Sequence, residues 1–154
     1  MASYEAGFHL VKDQSDTEMW SLPVVAAAYV KGDCLELTDG AVSWAAVTST
    51  SRQHTRKAVA QETVASSADE FVKCILCNPD QTWVAESAND TDVANRGDRM
   101  AFTDSNTVNN SDTDVATSLG CFQQFGESGA AADLRIIGKF VGLSGYGASN
   151  DSAT

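Results

Sequence analysis

Apolar and polar positions alternate along this chain with the two-residue period of a strand that buries one face. From Asp33 to Thr38 the pattern sets Leu35 and Leu37 on one side, and Thr38-Asp39-Gly40 supplies the turn that ends it. Ala41 to Thr48, carrying Trp44, follows as a hairpin partner. The same reading predicts strands over Val24–Val30, Phe71–Leu76, Thr82–Ala85, Arg99–Thr103, Gly120–Phe125 and Leu134–Val141. Between them lie loops rich in Ser, Asn, Asp and Gly, such as Ser87–Asn95 and Ser105–Asp114, and Asn78-Pro79-Asp80 reads as a turn.

One segment fits helical spacing instead: Ala60, Val64, Ala68, Phe71, Val72 and Ile75. An internal repeat argues against a helix there. Lys31-Gly32-Asp33-Cys34-Leu35-Glu36-Leu37-Thr38-Asp39 parallels Arg96-Gly97-Asp98-Arg99-Met100-Ala101-Phe102-Thr103-Asp104, with Gly, Asp, Thr and Asp in register. Downstream, Ala68-Asp69-Glu70-Phe71-Val72-Lys73-Cys74-Ile75 parallels Ala132-Asp133-Leu134-Arg135-Ile136-Ile137-Gly138-Lys139 at an offset that agrees to within one residue. The second copy, from Leu119 to Phe140, contains Gly120, Gly126, Gly129 and Gly138, each costing a helix about 1 kcal/mol. Equivalent segments share a fold, so both are read as β, with a short helical turn near Thr63–Ala68 left open. Gly of each Gly-Asp step supplies a positive-φ corner, and Asp ties the turn through its side chain.

The expected fold is therefore all-β: a small barrel or two-sheet sandwich built from two similar β units, residues 31–76 and 96–140. Two copies are too few for a solenoid and should close on each other. The expected organisation is an N-terminal arm over 1–23, a β domain over 24–142 and a flexible tail over 143–154. The arm holds Tyr4, Phe8, Leu10 and Trp20, more apolar surface than an idle tail needs. It is expected to dock, either on the protein's own core or on a partner by strand addition.

Charge narrows the functional classes. A formal net charge of -11 over 154 residues argues against a surface for nucleic acid or an anionic membrane, both of which call for basic patches. No run nears the roughly 20 apolar residues that span a bilayer. Met1 to Glu5 lacks a secretory leader's basic and apolar regions, so Cys34, Cys74, Cys77 and Cys121 are expected to stay reduced.

Candidate chemistry is sparse. Cys74 and Cys77 form C-x-x-C, but on a strand they point to opposite faces and a second cysteine pair is missing. His54 lies in a polar run and reads as an exposed loop residue. Asp90-Thr91-Asp92 and Asp112-Thr113-Asp114 lack the Gly and Glu of a calcium hand. Arg96-Gly97-Asp98 is explained as a turn, since Lys31-Gly32-Asp33 repeats it. No catalytic residue, cofactor or metal is expected. Trp44 and Trp83 are the residues through which a carbohydrate-binding module would stack on sugars, although both sit in strand patterns.

The two Gly-Asp units and the closing strand Ile136-Ile137-Gly138-Lys139-Phe140 give the chain, over most of residues 24–141, a pattern that resembles the tailed-phage capsid decoration, or cement, proteins. The resemblance implies a non-enzymatic virion protein on the capsid exterior, assembled in the host cytoplasm. It would bind the major capsid protein and form a dimer or trimer, with no nucleic-acid or membrane partner. The family's arms add a strand to the capsid, which would cast Tyr4–Lys12 in that role. A tail-tube or head-fibre β subunit is the alternative within the virion, and a carbohydrate-binding module the alternative outside it.

Overall fold

The computed structural model describes residues 6–11, 18–65, 71–111 and 119–142. It is all-β, with twelve strands among the described residues: β1 (His9–Leu10), β2 (Glu18–Pro23), β3 (Cys34–Leu37), β4 (Ala45–Ala46), β5 (Arg56–Ala60), β6 (Phe71–Leu76), β7 (Trp83–Ser87), β8 (Arg99–Met100), β9 (Phe102–Asp104), β10 (Thr107–Val108), β11 (Phe122–Glu127) and β12 (Arg135–Phe140). Single-turn 3-10 helices lie at Val93–Asn95 and Ala131–Asp133.

Two sheets form, and each curls toward closure. The first runs β2-β6-β5-β3-β4. Its ends meet where Val24, just past β2, bridges Trp44 in parallel, with Val25 N–H donating to the Trp44 carbonyl at 2.8 Å and Trp44 N–H to Pro23 at 2.8 Å. The second runs β8-β11-β12-β7-β10-β9. Because β8 and β9 are one strand bent at Ala101, the sheet begins and ends on the same stretch of chain. Both alternatives left by the sequence, barrel and paired sheets, thus have a share in the answer: two sheets pack together, and each is a small, nearly closed barrel.

The barrels are copies of one another down to their hydrogen bonds. In each, a first strand pairs antiparallel with the last (β2 with β6, β7 with β12), and a parallel contact closes the ring (Val24 with Trp44, β7 with β10). The Gly-Asp corners match in detail. Gly32 N–H donates to Ala60 at 2.9 Å and Gly97 N–H to Gln124 at 2.7 Å; Ala60 and Gln124 donate back to Asp33 at 2.8 Å and to Asp98 at 3.1 Å. Both glycines have φ near +95°, at 99° and 92°. The Asp33 carboxylate also accepts the Val30 N–H at 2.9 Å, which fixes the corner before β3 begins.

Several local expectations change. Residues 18–23, placed by sequence in the arm, form β2 and pair with β6 over its whole length, so the first barrel starts at Glu18. Val24–Val30, read as a strand, contributes only the single bridges of Val24 and Tyr29; Pro23 ends the β2–β6 pairing. The hairpin partner Ala41–Thr48 shrinks to Ala45–Ala46. The helix-or-strand segment resolves as β5 and β6, and Thr63–Ala65 is not helical; 66–68 lie outside the described residues, as do 143–154 and Tyr4. The short strand β10 had no sequence signal.

Alternation sorts the side chains into two cores. Leu22, Val24, Tyr29, Leu35, Trp44, Ala58, Ala60, Val72 and Cys74 fill the first barrel. Met100, Phe102, Phe122, Ile136, Phe140 and Trp83 fill the second, and Cys34, Val59 and Ile75 from the outer face of the first barrel join that cluster. One wall of the first barrel thereby becomes a lid on the second.

Candidate functional site

Two places hold groups that could act on something else: a polar cleft beside the barrel junction, and the edge of β2.

The cleft has a volume of about 420 Å³ and is lined by Glu36, Asp39, Ser51, His54 and Thr55 among other polar residues. Its floor is a charged cluster made where β3 and β5 turn their outer faces toward the second barrel. Lys57, fully buried, donates from Nζ to the carbonyls of Arg52 (2.7 Å) and Thr55 (2.9 Å) and to the Thr55 hydroxyl (2.5 Å). Glu36 Oε1 lies 4.0 Å from that ammonium and accepts the Thr55 hydroxyl at 2.8 Å; Oε2 accepts the Ser51 hydroxyl at 2.5 Å. Ser51 in turn accepts Thr48 N–H at 2.9 Å. All three ammonium donors are used, and both carboxylate oxygens are bonded. This is how a buried ion pair is kept from destabilising a fold. The cluster fastens the 48–55 loop onto β3 and β5.

His54 was expected to be exposed, but its side chain is only 19% exposed and lies over this cluster. Its Nε2 is 3.7 Å from the exposed carboxylate of Asp39. Nδ1 is buried with no partner among the described residues. Ser51 gives its proton to Glu36, and that carboxylate is itself held by Thr55. The sequence missed the convergence because Glu36 and Ser51 come together only when β3 and the 48–55 loop fold onto each other.

The cysteines offer no nucleophile at neutral pH. All four are reduced and buried. Burial pushes the Cys34 and Cys77 thiols well above the usual range, although nearby Lys57 pulls the other way; burial also raises Cys121 to about 11 and Cys74 to about 12. Cys74 and Cys77 belong to different cores, as strand geometry required. No group of three metal-ligating side chains converges among the described residues. Asp92 caps the 93–95 turn by accepting Ala94 N–H at 2.9 Å, and Arg96 makes a two-pronged bond to Glu127 at 2.7 and 2.9 Å.

The expected arm residues separate sharply. Phe8 is buried in the second barrel's own core, its ring 5.2 Å from Phe140, 5.7 Å from Phe122 and 5.8 Å from Phe102. Leu10 pairs with Trp83 on β7. Tyr4 lies outside the described residues. Trp20, at 54% exposure, faces solvent on the edge of β2. Trp44 and Trp83, the residues assigned to sugar stacking, are buried at 6% and 0% exposure and present no ring face.

No family model, curated protein or solved structure matches this chain. Of the large apolar side chains exposed among the described residues, Met19, Trp20, Val25, Val30, Val42 and Phe71 lie on the first barrel, and only Val93 and Phe125 on the second. No described helix is long and apolar enough to cross a membrane.

Proposed function

We propose that this protein is a non-enzymatic structural component that binds the outer surface of an assembled phage capsid, as a homo-oligomer, and stabilises the shell. The observation that supports it most is the lopsided surface: the first barrel exposes Met19, Trp20 and Phe71 on β2 and β6, while among the described residues the second barrel exposes only Val93 and Phe125 of its large apolar side chains. Exposed apolar side chains on adjacent strands are where a protein of this size meets a larger partner. The polar cluster under His54 is bonded internally, which suits a fastening role for its groups. Many copies bound to a lattice turn a modest contact into firm attachment. The acidic character of the chain keeps a crowded particle surface soluble.

The test is sedimentation of purified protein with expanded capsid shells. Saturable co-pelleting, together with shells that survive higher temperature when coated, is the expected result. Protein that stays in the supernatant at every concentration overturns the proposal. Self-assembly into tubes or stacked rings without any shell would favour the tail-tube or head-fibre reading instead.

A further inference from the structure

The two barrels differ at the outer edge of their first strand. On the second, β1 covers the edge of β7: His9 lies opposite Val84 and Leu10 opposite Trp83, and Val11 N–H donates to the Thr82 carbonyl at 2.9 Å. Phe8, just upstream, plugs the interior among Phe102, Phe122 and Phe140. Under this cover Trp83 is wholly buried.

On the first barrel β2 is the counterpart of β7. Trp20 pairs with Cys74 as Trp83 pairs with Gly138, and Leu22 with Val72 as Ala85 with Ile136. Met19 and Ser21 therefore take the places of Thr82 and Val84, whose main-chain groups face β1. Among the described residues nothing covers Met19 or Ser21, and Trp20 remains half exposed, its Nε1 donating to Glu18 at 3.1 Å. The interior beneath is thinner too. Where the second barrel stacks Phe102, Phe122 and Phe140, the first has Leu37, Ala58 and Leu76, of which Leu37 and Leu76 are only partly buried. Among the described residues no counterpart of Phe8 plugs the first barrel.

We infer that the open edge of β2 accepts an extended strand from another protein, one that places an aromatic side chain in the first barrel's mouth and an aliphatic side chain over Trp20. The chemistry of the occupant is read from the arm, since Phe8-His9-Leu10 does this on the twin barrel. A second copy is a poor occupant. Its own Phe8–Leu10 segment is engaged on its own β7, and β2-to-β2 pairing would join two chains of charge -11 with an exposed Glu18 on each edge. The same Glu18 favours a basic residue on the incoming strand. The site itself stands apart from the capsid reading, which would only say where the partner is found.

The probe is a synthetic peptide of the sequence from Ala6 to Val11 followed by two lysines, titrated into the full chain. Saturable binding should shift the tryptophan emission to the blue, because Trp20 is the exposed indole, and W20F should lose that shift. Ser21→Pro removes an edge donor on the side facing away from β6 and should weaken binding about tenfold or more. Trp20→Glu, at a position already half exposed, should weaken it similarly without touching the ladder. A peptide with Ser in place of its Phe should not bind. The inference is overturned by no saturable signal at concentrations on the order of 1 mM, or by equal binding to S21P and W20E. A chain that sediments as a dimer and becomes monomeric in S21P would also overturn it, by assigning the edge to a second copy. Peptide binding without shell binding would leave this site standing and remove the capsid proposal; shell binding without peptide binding would do the reverse.

Discussion

Gly32 and Gly97 occupy the same corner in the two barrels, yet their surroundings differ. Gly32, at φ 99°, lies against the arm: a Cβ there would stand 2.6 Å from the Ala6 carbonyl and 3.4 Å from Gly7. Around Gly97, at φ 92°, such an atom would meet nothing within 4 Å. Gly97→Ala should therefore cost only the backbone strain of a positive φ, about 1 kcal/mol. Gly32→Ala carries that strain and also pushes the arm away, breaking the Phe8 N–H bond to the Gly32 carbonyl, 2.9 Å long. Denaturant melts of the two variants should rank Gly32→Ala well below Gly97→Ala. Equal losses would mean that the arm adds nothing to stability. The repeat was legible because both corners need glycine; the difference between them was not, since it depends on a segment 25 residues upstream of Gly32 in the case of Gly7.

At the scale of elements, β1 is two residues long and cannot hold itself in place by main-chain bonds alone. Phe8 supplies the hold. Phe8→Ala would open a cavity ringed by Phe102, Phe122 and Phe140, with an expected loss of about 3–5 kcal/mol. Loss of the plug should also bare the β7 edge. Amide exchange at Val84 and Thr82 should speed up ahead of the rest of β7, and retained protection there would show that β1 docks without its aromatic anchor. The arm's apolar content predicted docking somewhere. It could not say that Phe8 and Leu10 go to the second barrel, which follows them in sequence by some seventy residues, while Trp20 becomes part of a strand in the first. Strand periods identified β3, β6 and β12 well because alternate apolar positions in each pack into a barrel interior. They failed at Val24–Val30, where apolar residues sit in single bridges and turns around Tyr29.

Across the whole molecule, the cysteines report on how firmly the barrels close. Cys34, Cys77 and Cys121 lie in the shared cluster of the second barrel and Cys74 inside the first. Their thiols are held above the ordinary range by burial, so the native state keeps its protons where the unfolded chain gives them up. Stability from this source is fully present below the unfolded thiol range, near pH 8.5, and is lost as pH rises toward the folded values. Urea melts should thus give a midpoint that is level between about pH 7 and 8 and falls steadily above about pH 9. A thiol reagent at pH 8 should label native protein only at the rate of unfolding. Rapid labelling of any of the four would show that a barrel opens locally.

What the sequence determined by itself was the strand-rich class, the doubled Gly-Asp unit and the net acidic charge. These follow from local rules: the pleat has a period of two, a positive-φ corner wants glycine, and charge can be counted. Tertiary structure alone decided that each unit begins one strand earlier, at β2 and β7, because those strands join their barrels by pairing with β6 and β12 across long loops. It alone gathered Glu36, Ser51, Thr55 and Lys57 under His54. And it alone laid the arm on β7, while no described strand covers the matching edge of β2, since a single arm can dock on only one of two matching edges.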